Sequence, residues 1–439
     1  MFTRAAVAIE PPSKTACAAA LRWRAASQTL FGRPLAAWQA ETRAALGLPT
    51  DRPVVVTGHQ AQFWHAGILA KWFVADACGV DLKGCAAQLV VDQDTNDPGV
   101  IEYPAEANGR LVVARLPVLP ARRGGPTALQ PTFTALAPGL PPLPEAADGL
   151  ERIATALRTT SHAASAAAQV AMANDVLLGS LVQPLRTVLA TKLLTTPIGE
   201  AFLDALRRDG PACAAAYNAA LASDPHLARP LAAGELPLWR LASGSRERVT
   251  AATLGAGGLL APRAFLMTAL VRLAVGDLFV HGTGGGRYER VTEAWMRQWL
   301  GVELAPMVVA TATLRLPLER FVGSQPVATA SDLRRLEWDP DAAGTAGPSP
   351  GKRAWLEQIA AAPRGSVGRR AAYRGWRQHL AERLDAHRGE VEIVRSLVAN
   401  SRERAAASLV ARSRTWPWPL HTPRAVIELR DVVLQTLES

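Results

Sequence analysis

At 439 residues the chain is longer than single cores usually grow, so a main domain with appendages is expected. A hydrophobic share of 49% excludes global disorder, and no stretch reaches the ~20 uninterrupted apolar residues that span a bilayer. The net charge of +10 is unevenly spread: residues 352–414 hold 14 Lys/Arg against 6 Asp/Glu, a difference of 8, which leaves the remainder near neutral.

In chain order, Met1–Pro12 lacks the apolar run of a signal peptide, which points to the cytoplasm. Thr15–Ser27 and Leu35–Leu46 carry Ala, Leu and Trp at helical spacing. After Asp51-Arg52-Pro53, Val54-Val55-Val56 has the continuous apolar character of a strand buried on both faces, the parallel-sheet type. A glycine turn follows, then a helix over Trp64–Cys78. Gln88–Val91 and Leu111–Arg115 predict two more such strands. The Pro-rich stretch 117–144 predicts an ordered loop, and Ala146–Ala222 a helical insertion broken at Gly210-Pro211. Strands are expected at Leu236–Leu241, Asp277–Val280 and Met307–Ala312, and helices at Ala261–Val275 and Val291–Leu300. Trp338–Gly351 is the clearest linker. It divides an α/β core, residues 1–337 with the insertion at 146–222, from a basic helical segment, residues 352–439. Within that segment Ala371–Ser413 predicts a long helix or helical hairpin of coiled-coil character. The cysteines Cys17, Cys78, Cys85 and Cys213 are scattered and predict buried apolar side chains rather than disulfides or a metal site.

Three polar clusters each follow an apolar strand, the position at which open α/β sheets bind ligands. The first is Thr57-Gly58-His59-Gln60 with His65. Gly58 allows close backbone approach, His59 is the candidate general base and Gln60 an orienting group. The second is Asp92, Asp94, Asn96 and Asp97, carboxylates able to hold a substrate ammonium or a ribose hydroxyl. The third is His281-Gly282-Thr283-Gly284-Gly285-Gly286, with Tyr288 and Glu289 in a helix starting near Arg287. Free backbone N–H groups at such a helix start favour an anion, with one glycine expected at positive φ. The third run matches neither the dinucleotide nor the phosphate-loop pattern. The expectation is that all three turns sit at carboxyl ends of neighbouring parallel strands and face one cleft.

This ordered set resembles the cysteine-adding enzymes of bacillithiol synthesis (the BshC family). Thr57-Gly58-His59-Gln60 matches that family's Thr-Gly-Gln-Gln turn, with His59 in place of the first Gln. Gln93-Asp94-Thr95-Asn96 aligns with its Glu-Asp-His-Asp turn, of which only Asp94 is kept. Leu260-Ala261-Pro262-Arg263 resembles its Leu-Ser-Pro-Arg/Asn segment, and Phe279–Gly284 falls where the family has a strand and Gly-Gly-Pro-Gly-Glu. The similarity covers roughly residues 50–100 and 255–320.

The resemblance implies a Rossmann-like core with a C-terminal coiled-coil element. It implies a ligase that joins cysteine, or a related amine or thiol, to an acceptor such as glucosaminyl-malate, and a nucleotide of the ADP/ATP type as cofactor. His59, Gln60 and Asp94 would then be the catalytic set. The sequence requires no metal. Small-molecule substrates and a homodimer through the C-terminal helices are the expected partners, with neither membrane nor nucleic acid among them. Two other readings stay open: a nucleic-acid-associated protein using the C-terminal arginines, and a non-catalytic scaffold presenting the Trp416-Pro417-Trp418-Pro419 turn.

Overall fold

A computed structural model describes residues 5–120, 124–322, 328–342 and 347–438. The apolar runs form strands, and most of them lie side by side. Ala6–Glu10 (β1), Val54–Gln60 (β2), Cys85–Val91 (β3), Arg186–Leu189 (β4), Leu278–His281 and Met307–Thr313 build one six-stranded sheet. A second, antiparallel sheet consists of Glu235–Ala242 (β5), Ser245–Thr250 (β6) and Leu259–Pro262 (β7), with β5 in the middle. Numbering the remaining strands of the first sheet β8 (278–281) and β9 (307–313), its order is β1-β9-β8-β2-β3-β4. All neighbours are parallel except β1, which runs antiparallel to β9. The chain is therefore α/β, built on a mixed, mostly parallel sheet.

Two cores cover the two faces. Val54, Val56, Ala87, Leu89 and Phe279 pack with Leu35–Ala45 (α2), Pro197–Leu221 (α6), Ala264–Leu270 (α7) and Gly285–Leu300 (α8). Val55, Ala86, Leu278, Val280, Val308 and Ala310 pack with Ser13–Ala25 (α1), Ala66–Asp81 (α3) and Pro423–Glu438 (α13). Because alternate residues of each strand are claimed by different layers, the strands had to be apolar throughout, as their runs of Val and Leu are. The crossover helix from β2 to β3 is α3, and that from β8 to β9 is α8. They lie on opposite faces, so the strand order reverses between β2 and β8.

The amino ends of those two strands are locked by Asp277, buried just before β8. Its carboxylate accepts from Arg43 Nη2 at 2.9 Å, the Val54 amide at 2.8 Å and Arg24 Nη1 at 3.1 Å. Arg43 is itself buried in α2 and donates Nε to the Val275 carbonyl at 2.9 Å.

Several elements differ from expectation. Strand β1 and the edge strand β4 were not foreseen; β4 interrupts the expected insertion, separating Pro144–Thr159 (α4) and Ala166–Leu178 (α5) from α6. Helix α6 runs through Pro211 with non-helical angles only at Asp209, because a proline's missing N–H costs least beside a kink. Arg110–Arg115 is a strand but pairs with Glu102–Ala107 in a separate ribbon. Asn108 (φ 53°) and Gly109 (φ 73°) form its left-handed turn, and a two-residue Asn-Gly turn returns the chain antiparallel. The expected helix over Ala261–Val275 begins as strand β7 and ends in a π-turn, Val271–Val275.

The chain divides into two compact units. One comprises Met1–Glu106, Val113–Pro317 and Ser413–Ser439; the other comprises Ala107–Val112 and Leu318–Arg412. The division differs from the expected boundary at 337/338, because α13 returns to the sheet and belongs with the first unit. Trp416 and Trp418 are buried there, and Trp418 Nε1 donates to Asn174 Oδ1 at 3.1 Å, so the Trp-Pro turn is core rather than a presented surface. The second unit holds Ala330–Trp338 (α9), Pro350–Ala361 (α10), Val367–Ala386 (α11) and Arg388–Ala411 (α12), the expected long helix being broken at His387. Of the expected linker 338–351, residues 343–346 lie outside the described residues. Cys17, Cys78 and Cys213 are buried, and all four cysteines are free thiols. Among the described residues no helix is long and apolar enough to cross a membrane.

Asp277→Asn keeps the shape of the amino-end clamp but removes the charge that balances buried Arg43. It is expected to destabilise the protein by about 3–5 kcal/mol, measured by urea unfolding, because an unpaired buried guanidinium remains.

Candidate functional site

The carboxyl ends of β2, β3 and β8 open into one cavity of about 770 Å³, bounded on its far side by the antiparallel sheet. The three expected turns therefore share a cleft, and it lies at the strand-order reversal where adjacent crossovers diverge to opposite faces. The strand β2 changes character along its length: Val54–Thr57 is dry, whereas Gly58, His59 and Gln60 are partly open and line the cavity.

From the first turn, Gly58, His59, Gln60 and His65 line the cleft, while Thr57 is buried and donates Oγ1 to the Val280 carbonyl at 3.1 Å. Thr57 thus ties β2 to β8 rather than meeting a ligand. A side chain at Gly58 would place its Cβ 2.5 Å from the Leu89 carbonyl oxygen, so this glycine permits close strand pairing with β3. His65 caps α3, its Nδ1 accepting from the Gly67 amide at 3.0 Å.

Of the acidic turn, Gln93 and Asp94 line the cleft, and Asp94 brings its only carboxylate there. It accepts from Gln60 Nε2 at 3.2 Å and pairs with Arg246 at 2.9 Å. Asp92 points the other way, receiving the Thr191 amide at 2.9 Å and Thr191 Oγ1 at 2.6 Å; burial pushes its carboxyl up. Asn96 donates to the Ala61 carbonyl at 2.9 Å, stapling two turns, and exposed Asp97 caps the Gly99 amide at 2.8 Å. None of these three lines the cavity, because local backbone donors and acceptors already hold them.

The glycine turn contributes His281, Gly282, Thr283, Gly284, Gly285 and Tyr288. Gly286 faces Val309, and Glu289 is wholly buried beneath the helix, where Arg272 Nη1 donates to Oε2 at 2.7 Å. Helix α8 starts at Gly285, two residues earlier than expected, and none of Gly282, Gly284, Gly285 or Gly286 has positive φ. Its glycines answer a different demand. A Cβ at Gly285 would lie 1.7 Å from His281 Nδ1, so the imidazole packs over the helix start only because residue 285 has no side chain. His281 Nδ1 accepts from the Gly282 amide at 2.9 Å, which leaves Nε2 as the N–H.

The imidazoles stay neutral. Burial, then the positive charge of Lys71, hold His59 well below the usual histidine range and push His281 down to about 3. His65 is lowered by burial, Arg414 and Lys71 in that order.

Sequence reasoning missed most of the cations. Lys71 from α3 lines the cleft with its side chain buried, donating Nζ to the Gly58 carbonyl; burial lowers its amine to about 7. Arg229, Arg246, Arg248, Arg263 and Arg414 also line it; Asp94 is the one carboxylate among the lining residues, and behind them buried Glu235 pairs with Arg263 at 2.8 Å and Arg248 at 3.6 Å. Arg246 and Arg263 lie over the Trp239 ring at 4.9 and 4.3 Å from its centroid. The only available signal was the hairpin pattern Arg246-Glu247-Arg248, whose alternation aims both arginines at one face of β6. Phe265 and Tyr288, 4.2 Å apart, add an aromatic wall.

Starts of α3 and α8 add N-terminal dipoles of the same sign, so the cleft favours an anion. Among the described residues no group of three His, Cys, Asp or Glu side chains is placed to hold a metal ion. Buried polar atoms without partners gather here too: His59 Nδ1, Gln93 Oε1, Asn96 Oδ1 and Glu289 Oε1 all belong to the strand ends or turns around the cleft.

No family model matches the chain, and no curated protein matches it significantly.

Gly285→Ala is expected to cost about 1–3 kcal/mol by overpacking against His281. Combining it with His281→Ala should recover most of that loss, because the ring is the obstacle. A double-mutant cycle of unfolding free energies reads the coupling.

Proposed function

We propose that this chain is a ligase- or transferase-type enzyme with a Rossmann-like core, joining cysteine or a related amine or thiol to an anionic acceptor such as glucosaminyl-malate. The observation that carries the reading is the single cleft at the strand-order reversal, where five arginines outnumber the two carboxylates that pair with them, Asp94 and Glu235, and stand beside neutral imidazoles. A carboxylate-bearing acceptor suits Arg229, Arg246, Arg248 and Arg263, and the lone Asp94 suits a substrate ammonium. Gln60, hydrogen-bonded to Asp94, would orient that group. The coiled-coil element that the resemblance implies would correspond to helices α11 and α12.

A nucleotide of the ADP/ATP type fits the same chemistry. Its phosphates would be held by the arginines and the amides at the start of α8, and it would supply activation of the acceptor carboxylate.

The nucleic-acid reading draws less support. Arg383 pairs with Asp341, Arg395 with Glu337 and Glu392, and Arg388 with Asp385, so part of the basic excess is already neutralised within the helices.

Incubating the protein with cysteine, glucosaminyl-malate and ATP should yield a product equal in mass to both substrates less one water. Absence of that product, with neither substrate bound in calorimetry, would overturn the reading. Arg246→Leu should weaken binding of a malate-bearing ligand about tenfold, since hydrogen bonds to charged groups contribute about 1.5–3 kcal/mol and this arginine is partly solvated. Arg353→Leu, on α10, should leave that affinity unchanged.

A further inference from the structure

The chain's 48 basic residues include only five lysines: Lys14, Lys71, Lys83, Lys192 and Lys352. In a sequence that otherwise uses arginine, a lysine at a buried position is informative, because an amine can shed its proton in a protein and a guanidinium cannot. Lys71 is that lysine. Its side chain is 2% exposed and lines the cleft, whereas Lys14, Lys83 and Lys192 are exposed. Among the described residues no carboxylate pairs with it. Its one hydrogen bond is the donation from Nζ to the Gly58 carbonyl, and Trp72 lies 5.2 Å below. A buried ammonium without a counter-ion is costly, so the site favours the neutral amine.

We infer that Lys71 is the proton acceptor of the cleft, taking the proton of the incoming ammonium or thiol group before that group attacks. The inference rests on the amine- or thiol-joining reading for the identity of the proton donor. The step balances by itself: R–NH3+ and the neutral Lys71 amine become R–NH2 and the Lys71 ammonium, with the freed lone pair left on the nucleophile. One N–H of the neutral amine stays on Gly58, which holds the nitrogen in place while its lone pair receives the proton. The charge then formed lies beside His59, His65 and His281, the titratable groups that sense Lys71. All three are already held neutral. His59 is the poorer base, because burial makes its conjugate acid too acidic to hold a proton at neutral pH, whereas a base with a midpoint near 7 is matched to that pH.

The test uses the full chain labelled with 13Cε-lysine, whose five signals can be titrated without chemical access to the cleft. One midpoint near 7, missing in Lys71→Met, is expected; five midpoints at or above 10 would overturn the inference. Lys71→Met should fold and be more stable than the parent at pH 7. Its advantage should shrink as pH rises from 7 toward 10.5, because over that window the unfolded parent binds a proton that the folded one does not. With cysteine and acceptor, Lys71→Met and Lys71→Arg should each lower kcat at least 100-fold with KM within threefold, and retention of kcat in either would refute the role. The two readings fail separately. A midpoint near 7 without a cysteine product removes the ligase reading and leaves Lys71 as the cleft's base, while a midpoint at 10 removes Lys71 whatever the substrate.

Discussion

Asp277 joins two strands that lie 223 residues apart in sequence. By accepting from the Val54 amide and from Arg43 at once, it sets β2 beside β8 at the dry end of the sheet. That adjacency decides the rest. With β8 seated next to β2, the crossovers α3 and α8 must leave toward opposite faces, and a gap opens between their starts. The ion pair has a desolvation cost and is not to be counted as net stabilisation. Its importance is geometric, since Arg43 and Asp277 together link α2, the π-turn and both strands.

The cleft at the other end of the same strands contrasts with that closed arrangement. At the amino end the buried carboxylate of Asp277 is paired with Arg43 and Arg24. At the carboxyl end, orphaned polar atoms, one uncompensated amine and an excess of arginines share a partly solvated space. Such local inconsistency is expected where binding rather than folding has selected the residues. Desolvation then acts selectively: it silences the histidines, leaves the arginines charged and brings the lysine within reach of neutral pH.

Much of this was legible in the sequence, for identifiable reasons. Val54–Val56, Leu89–Val91 and Leu278–Val280 are apolar without alternation, and only a strand covered on both faces needs that pattern. The polar residues after each run placed the three turns correctly. What could not be read was which way a side chain turns once there. Asp92 and Asp94 are two residues apart, yet one satisfies Thr191 in the core and the other meets Arg246 in the cleft. Glu289 resembled an open carboxylate but serves buried Arg272. Lys71 sits in a helix whose other residues are mostly apolar, and nothing local distinguishes a snorkelling lysine from a buried one. The arginines of β6 were missed because a six-residue antiparallel strand, half exposed, carries too weak a pattern.

The return of α13 to the sheet has a consequence for synthesis. Val426, Leu429, Val433 and Leu437 cover the face that α3 and β1 share, and Ser13 Oγ donates to the Leu437 carbonyl at 3.0 Å. A nascent chain emerging from the ribosome thus makes β1, β2 and β3 first, waits some two hundred residues for β8 to pair with β2, can seat β1 only once β9 follows, and lacks its last cover until α13 appears. Pairings of such long range are slow to form and leave apolar strands uncovered meanwhile. Elongation therefore includes a long interval with apolar strands uncovered, and a chain that stops before residue 413 lacks the helix that covers one face of its sheet.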